Sequence, residues 1–429
     1  MLVNMWRLAL LIVACPSIAA LVLLTPPASH YAVYDWKRAD LFDFYRDFYR
    51  ATQAAGESVV LVVTGIPHFR GLDDGSRAVL GGMGVSDSDM LAFQLDDIWV
   101  RDFFPTQINS DVVAEFGYAP AYLDVESVGF IKSATQKFLR FIDLPGWTPI
   151  KLTGNLEGSD TSLLVLDGGG IVVESERAWA VVTERILRDN PSLVGRDNFA
   201  GLGPSETCCL ADPYRILSDD IYGRFTPSEI AVAESRLEKL LAMNKVAIVP
   251  EEPEVPRLGH IDGIANWLAP GVLALSNFSD TTVYESYVDK LRNTFGANLT
   301  VVPFPYAVSM EIGQDGFESA EGIYVNFLRT KKAIYLPIFD IPEDDTALAM
   351  ARAFSDRPVF PVNASEIAIM GGSVHCLSQH YWGDNEEALT ATVSLQKQRE
   401  AEFAAQSGCV AACASVLWLI LGVVTSGLV

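Results

Sequence analysis

The chain has 429 residues, half of them hydrophobic (50%), which is enough apolar sequence to bury a large core. Disordered and fibrous proteins have different compositions, so both classes are excluded. The 54 acidic residues outnumber the 31 basic ones and give a formal net charge of -23. This acidic excess argues against nucleic acid or an anionic membrane surface as a binding partner.

The first element is an uncharged apolar run, Leu8–Leu24, which follows a single basic residue, Arg7. This pattern predicts a secretory signal peptide or an N-terminal membrane anchor, with small residues for cleavage near Ala19 or Ala20. We therefore assign residues 1–31 to this segment and residues 32–400 to one folded domain.

Within residues 32–400, short β-rich runs alternate with amphipathic helices. The strands are predicted at Ser58–Gly65, Lys245–Pro250, Val272–Phe278, Leu299–Pro305 and Lys332–Phe339. The helices are predicted at Asp40–Ala54, Thr226–Lys245 and Asp280–Thr294. In the second helix, Thr226 and Glu229 form the two halves of a capping box around Pro227. No break in composition divides this part, so we predict one α/β body of repeated units.

The last element, Cys409–Val429, has no charged residue. It predicts either a tail anchor or the signal for a lipid anchor, and the sequence does not choose between them. Asn-x-Ser/Thr sequons at Asn277, Asn298 and Asn363 fit a secretory route. We assign residues 401–429 to this tail and expect a membrane-attached or extracellular protein.

Three of the six cysteines lie in the predicted domain, at Cys208, Cys209 and Cys376. The adjacent pair is interpreted as two inert thiols rather than a vicinal disulfide, which needs unusual backbone geometry. The five histidines and the cysteines show no paired ligand spacing, so we expect no metal site.

Four stretches hold residues that could carry chemistry: DDIWVRDFFP (96–105), LDGGGIVVE (166–174), GHIDGIANW (259–267) and MGGSVHCLSQH (370–380). On an extended segment, His260 and Asp262 would face the same side. Each stretch also has a structural interpretation, because Asp102 could pair with Arg101, His260 could be a hydrogen-bonded core histidine, and Cys376 could be a small buried hydrophobe.

The combination of these motifs, in this order, resembles the Porphyromonas-type peptidyl-arginine deiminase and agmatine deiminase family. The matching stretches are WVRD, VLDGGGIVV, TERILRDNP, GHID, YVNFLRTKKAIYLPIF and GGSVHCLSQ, within roughly residues 40 to 385. The resemblance implies a pentein fold, in which five ββαβ units surround a pseudo-fivefold axis and the active site lies in the central channel.

The resemblance also implies a hydrolase that acts on linear amidines, with agmatine or peptidyl-arginine as substrate and no cofactor. The product would be a ureido compound, formed through a covalent thiouronium intermediate. The implied catalytic residues are Cys376 as nucleophile, His260 as acid and base, and Asp167 as the group that orients His260. The implied substrate-binding residues are Asp102, Asp262, Trp99 and Asn326.

Several positions depart from the family pattern. Asp167 replaces the usual glutamate, which predicts a longer or water-bridged contact to His260, and Phe104 replaces a glycine, which predicts a narrower entrance. Arg257 lies near the predicted site, and an insertion at about residues 192–225 holds the cysteine pair. The alternative function is a non-catalytic, membrane-attached pentein that binds a cationic ligand or partner; oligomeric state is not predicted.

Overall fold

The computed structural model describes residues 20–28, 31–63, 75–95, 97–120, 123–152, 163–195, 225–251, 259–314 and 316–426. The predicted features at Leu8–Ala19, Cys208, Cys209 and Arg257 lie outside these residues. Of the helix at the C-terminus, only the backbone is described beyond residue 405.

The described residues form five β-sheets. The first sheet contains β1 (Ala20–Leu24), β2 (Ser58–Val63), β3 (Met90–Ala92) and β16 (Ser378–Trp382). The second contains β4 (Thr106–Gln107), β5 (Val113–Glu115) and β6 (Trp147–Pro149). The third contains β7 (Ile171–Glu174), β8 (Trp179–Thr183) and β9 (Lys245–Val249). The fourth contains β10 (Ala265–Ala269), β11 (Val272–Ser276) and β12 (Thr300–Phe304). The fifth contains β13 (Leu328–Arg329), β14 (Ile334–Ile338) and β15 (Val359–Asn363).

The helices of the described residues are α1 (Arg38–Ala54), α2 (Gly75–Gly82), α3 (Val100–Phe103), α4 (Val125–Ile142), α5 (Arg185–Asp189), α6 (Pro227–Leu240), α7 (Thr281–Phe295), α8 (Asp344–Phe354) and α9 (Asp384–Ser426). Helix α6 begins with the predicted capping box, in which Thr226 and Glu229 each accept a hydrogen bond from the other's backbone N–H. The predicted strands and helices all form, with shifts of a few residues at their ends.

All five sheets share one pairing pattern. In each, an antiparallel pair is extended by a third strand that runs parallel to the second, as in β4–β5–β6. A helix connects the second and third strands, because a parallel connection must return to the same end of the sheet. The prediction of an α/β protein built from repeated units is therefore confirmed.

Strand β1 corrects the predicted domain boundary at residue 31. It pairs antiparallel with β16 and parallel with β2, so it is an interior strand of the first sheet. All five of its residues are buried. Leu21 and Leu23 pack into one hydrophobic cluster, whereas Val22 and Leu24 pack into another on the opposite face. The C-terminal part of the apolar run thus belongs to the folded body.

At the other end, α9 continues from the folded body into the predicted tail. Its first residues pack on the fold, where Leu389 and Val393 are buried beside Phe138 of α4. Among the helices of the described residues, none is long and apolar enough to cross a membrane.

We predict that Leu23→Ala lowers the free energy of unfolding by about 2–5 kcal/mol, because the residue is fully buried in an interior strand. Val33→Ala is the matched control, since Val33 is 54% exposed and its truncation should change stability by at most about 0.5 kcal/mol. Chemical denaturation of the purified variants measures both values. Equal stability of the two variants would show that β1 is not part of the folded core.

Candidate active site

The predicted site residues come from the same place in successive repeats. Each lies in the short segment that precedes the antiparallel edge strand of a sheet: Asp102 before β4, Asp167 before β7, Asp262 before β10, Asn326 before β13 and Cys376 before β16. These segments meet at one point, which brings together residues that are far apart in the sequence.

The first of these segments is the short helix α3, which follows Trp99. The backbone N–H of Arg101 donates to the carbonyl of Cys376 (3.2 Å), and this bond ties the helix to the cysteine segment. Asp102 is buried, and its Oδ1 accepts a hydrogen bond from the backbone N–H of Gly169 (3.1 Å). No ion pair between Arg101 and Asp102 is found in these described residues, so the structural interpretation of Asp102 is not supported.

The glycine run after Asp167 allows backbone to occupy the centre of the site. A Cβ atom on Gly169 would lie 2.6 Å from His260 Nδ1, 2.9 Å from Asp102 Oδ1 and 3.2 Å from Asp262 Oδ2. Only glycine fits there without displacing these groups. Gly169 therefore lies among three of the predicted site residues, and the sequence motif alone did not assign it this position.

His260 and Asp262 do not lie on the predicted extended segment. Ile261–Gly263 forms a single turn of 3-10 helix, and His260 precedes it in an extended conformation. Both side chains nevertheless lie within reach of Gly169. His260 Nε2 is 3.2 Å from Asp167 Oδ2, a direct contact, so the shorter aspartate does not require the longer or water-bridged geometry that the sequence predicted.

The charge on His260 is set by competing effects. Burial alone would lower its pKa, but the carboxylates of Asp102 and Asp167 outweigh burial and raise the pKa to about 9. Asp102 Oδ1 lies 3.9 Å from His260 Nδ1. The imidazole is therefore protonated at neutral pH.

Asp102 has an unusual pKa for a different reason. Burial raises its pKa to about 7, against the opposing effect of the His260 cation, and the carboxylates of Asp167 and Asp262 add to the rise. Like charges held close together in a buried site resist simultaneous ionisation. The site thus holds more negative charge than its own cation balances.

Cys376 lies in the turn between Gly371 and β16. Gly371 has a positive φ of 88°, which favours glycine. Next to it, a Cβ on Gly372 would approach Trp99 Cζ3 (2.5 Å) and Cys376 Sγ (3.1 Å), so the indole and the thiol both border this glycine. The glycine pair therefore lets the turn pass between Trp99 and Cys376.

Asn326 holds the cysteine turn in place. Its Nδ2 donates to Cys376 Sγ (3.1 Å), and its Oδ1 accepts from Ser373 Oγ (2.9 Å) and from the backbone N–H of His375 (3.1 Å). The Cys376 thiol also contacts Asp262 Oδ2 at 3.5 Å. Burial, followed by the negative charges of Asp262 and Asp102, raises the pKa of Cys376 well above its usual value.

His375 also contacts the candidate site, although we assigned it no role from the sequence motif that contains it. Its Nδ1 lies 2.8 Å from Asp262 Oδ2. Burial and the charge of Arg101 lower the pKa of His375 to about 4, so the ring is neutral and donates its Nδ1 proton to the carboxylate. Burial alone would raise the pKa of Asp262, but the hydrogen bond from His375, the nearby His260 cation and the Cys376 thiol together outweigh burial and lower that pKa.

Phe104 does not narrow an entrance, which corrects the expectation from its sequence position. It is 2% exposed and packs edge-on or tilted against Phe103 and Phe138 in a hydrophobic cluster. Replacing a glycine with phenylalanine at this position therefore adds to the core.

Comparison with known proteins supports the resemblance. Residues 226–381 match the profile of the Porphyromonas-type peptidyl-arginine deiminase family. The agmatine deiminase of Pseudomonas fluorescens is 27% identical over 313 residues, which cover 66% of this chain and 74% of that protein. A shorter match, to the agmatine deiminase of Ectopseudomonas mendocina, is 29% identical over 173 residues and covers 34% of this chain and 46% of that protein.

Solved structures support the fold. The agmatine deiminase of C. jejuni superposes with a TM-score of 0.57 at 13% identity, covering 85% of this chain and 93% of that one. The agmatine deiminase of Enterococcus faecalis superposes with a TM-score of 0.56 at 18% identity, and the match covers 84% of this chain and 92% of that one. The resemblance predicted from the sequence is confirmed: this chain is similar in sequence to the Porphyromonas-type peptidyl-arginine deiminases and the agmatine deiminases, and similar in fold to solved agmatine deiminases.

We predict that His260 titrates near pH 9 in NMR spectra of histidine-labelled protein, and that Asp167→Asn lowers the pKa of His260. The substitution keeps the size of the side chain but removes one of the negative charges that stabilise the imidazolium. Asp340→Asn, at an exposed aspartate, is the matched control and should leave His260 unchanged. Titration of His260 in the unsubstituted protein near its ordinary value of 6.5 would contradict the arrangement of charges described above.

Proposed function

We propose that this chain hydrolyses the guanidinium group of a small substrate of the agmatine type, giving a ureido product and ammonia. The enzyme class, a hydrolase that acts on guanidino groups, agrees with the sequence relatives and with the family profile. The observation that carries the proposal is the buried thiol of Cys376, which lies 3.5 Å from the buried carboxylate of Asp262. The carboxylate of Asp102 and the imidazolium of His260 lie next to Asp262, around Gly169.

The charges of the site favour a cationic ligand. Asp167 contacts the His260 cation, which leaves Asp102 and Asp262 as buried carboxylates without a basic side chain of lysine or arginine within 4.0 Å in the described residues. A planar guanidinium presents N–H groups along its edges and would satisfy both aspartates. When the cation binds, the raised pKa of Asp102 should fall and both carboxylates should be ionised.

The same cation would activate the nucleophile. The free thiol has a high pKa because it is buried beside negative charge. A guanidinium bound against Asp102 and Asp262 cancels that negative charge and brings a positive carbon close to Sγ, so the thiol should release its proton to solvent as the substrate binds. Cys376 would therefore become a thiolate mainly in the complex.

The proposed reaction proceeds in two halves. The thiolate of Cys376 bonds to the guanidinium carbon; His260 then gives its proton to the departing nitrogen, the C–N bond breaks, and ammonia leaves behind a thiouronium intermediate. Neutral His260 next takes a proton from the attacking water. The C–S bond breaks, the ureido product forms, and the thiol is regenerated.

The remaining predicted residues would position these groups. Asp167 holds His260 by its contact to Nε2, and Asn326 holds the thiol through its Nδ2 donor. Trp99, which borders Gly372 beside the thiol, would form an apolar wall for the stem of the substrate. These three assignments stay predictions, as does the absence of a cofactor.

Open space adjoins two of the predicted site residues. A pocket bordered by Pro120, Arg185 and Asp189 adjoins Asp167 and His260. The relatives named above act on agmatine according to their names, and agmatine is the substrate we propose; peptidyl-arginine and free arginine are the alternatives.

Two further parts of the proposal concern the whole protein. We propose that the five units surround one pseudo-fivefold axis, with the site at their centre, because all five contribute a residue from the equivalent segment. Attachment to a membrane and a secretory location remain proposals, based on the apolar terminal sequences.

We predict that Cys376→Ser lowers turnover of agmatine by at least about 10³-fold, because an alcohol is a far weaker nucleophile than a thiolate. Binding of agmatine should persist, because the aspartates remain. Colorimetric detection of the ureido product, with agmatine, an arginine-containing peptide and free arginine in parallel, measures both the loss and the preferred substrate.

The controls for this experiment are Cys208→Ser and Cys209→Ser, which should retain wild-type activity. A Cys376→Ser protein with the wild-type rate would refute the proposed nucleophile. A wild-type protein that binds guanidino compounds and releases no ureido product from any of the three would favour the alternative, a non-catalytic protein that binds a cation.

A further inference from the structure

A second pocket lies close to the candidate active site but is distinct from it. None of the seven predicted site residues lines it, although His375 borders both. Its lining includes a neutral histidine, His380, and four basic side chains: Arg101, Arg329, Lys331 and Arg357. We propose that this cavity binds a small oxyanion of the phosphate class, with two negative charges.

Several polar atoms of the cavity lining lack a hydrogen-bond partner. Among the described residues, buried atoms without a partner include Arg101 Nη2, Arg329 Nε, Thr106 Oγ1 and His380 Nδ1. Arg101 is 3% exposed and Thr106 is 5% exposed, so neither has ready access to bulk water. A buried donor without a partner destabilises the protein, which a ligand with several acceptor oxygens would relieve.

Two of the four basic side chains also lack a carboxylate in direct contact. Arg329 and Arg357 contact Asp356 and Glu176. In contrast, no carboxylate of the described residues lies within 4.0 Å of the basic groups of Arg101 or Lys331.

The contacts of these two residues are with neutral groups. Arg101 donates to Gln379 Oε1 (2.8 Å) and to the carbonyl of His375 (3.3 Å). Lys331 donates to Ser175 Oγ (2.9 Å), and its Nζ lies 4.7 Å from the centre of the Trp382 ring. Two positive charges therefore face this cavity without a directly paired carboxylate, although Asp262 and Asp102 act on Arg101, and Glu176 and Glu174 on Lys331, from a greater distance.

The basic groups also destabilise one another's charged forms. Burial and the neighbouring charges of Arg357 and Arg329 lower the pKa of Lys331. Burial likewise lowers the pKa of Arg101 to about 10, and burial together with Arg101 and Lys331 keeps His380 neutral. An anion among these groups would reverse the unfavourable electrostatics.

The identity of the ligand follows from the donors. An arginine fork and a lysine ammonium together bind tetrahedral oxyanions and carboxylates well. The two positive charges of Arg101 and Lys331, which have no directly paired carboxylate, favour a ligand with two negative charges over chloride, which has one. Inorganic phosphate and a short dicarboxylate share this chemistry, and the tetrahedral arrangement of oxygens suits donors that approach from different walls of a cavity.

Isothermal titration calorimetry tests the proposal with inorganic phosphate and, in parallel, malonate, in chloride buffers of constant ionic strength. We expect saturable binding of phosphate by the full chain, with one site and a stronger affinity than for malonate. Lys331→Gln should weaken phosphate binding by at least about tenfold, because it removes a charge-assisted hydrogen bond.

Lys332→Gln is the matched control. It removes the same charge from the adjacent residue, whose Nζ instead donates to the exposed carbonyl of Gly56. The proposal would be overturned if Lys331→Gln and Lys332→Gln bound phosphate with equal affinity. It would also be overturned if the unsubstituted protein showed no phosphate binding in the chloride buffer. Tighter binding of malonate would replace phosphate with a dicarboxylate as the ligand class.

A crystal grown with selenate keeps the proposal testable if Lys331→Gln does not fold. The anomalous signal of selenium should appear in the cavity, within hydrogen-bond distance of Arg101 and Lys331. Selenate found only elsewhere on the surface would contradict the site. Neither measurement depends on the deiminase reaction, so failure here is distinguishable from failure of the proposed function.

Discussion

The candidate site depends on a balance of charge around Gly169. Two buried carboxylates from separate repeats, Asp102 and Asp262, and the half-buried carboxylate of Asp167 surround a single imidazolium, His260. A cation in their midst would stabilise the ionised carboxylates and lower the pKa of the Cys376 thiol at the same time. In the proposed function, the substrate therefore supplies the charge that makes its own nucleophile reactive.

The fold makes this balance possible by repetition. Each sheet contributes the segment before its antiparallel edge strand, so one point of the structure receives a side chain from every unit. The hydrogen bonds of Asn326 and the backbone bond from Arg101 to Cys376 connect neighbouring segments directly. Burial of the strands behind these segments holds them in register, and β1, although it carries no site residue, supports β16 after the cysteine turn.

Much of this arrangement could be predicted from the sequence. Short apolar runs and capping residues predicted strands and helices such as β9 and α6, and the ordered motifs that resemble the deiminase family predicted the site residues. The misassigned strand is β1, because a strand buried on both faces has the same uninterrupted apolar sequence as a signal or an anchor. Periodicity could not distinguish the two, whereas pairing with β2 and β16 does.

The local geometry of the site was harder to predict. An alternating pattern suggested that His260 and Asp262 share a face of an extended segment, but a turn of 3-10 helix places them around Gly169 instead. The role of His375 depends on a contact to Asp262, more than a hundred residues away in the sequence. Such contacts follow from tertiary packing and leave no local signal.

The most direct measurement of the central claim compares two alkylating reagents of nearly equal shape, cationic 2-chloroacetamidine and neutral 2-chloroacetamide, near pH 7.5. Each rate of Cys376 modification is divided by the rate with a free thiol, which removes the intrinsic difference between the reagents. The account predicts that the cation reacts at least about 10²-fold faster, because a positive charge beside Cys376 and the aspartates stabilises the thiolate. Equal normalised rates would contradict it, since the thiol would then not depend on a bound positive charge.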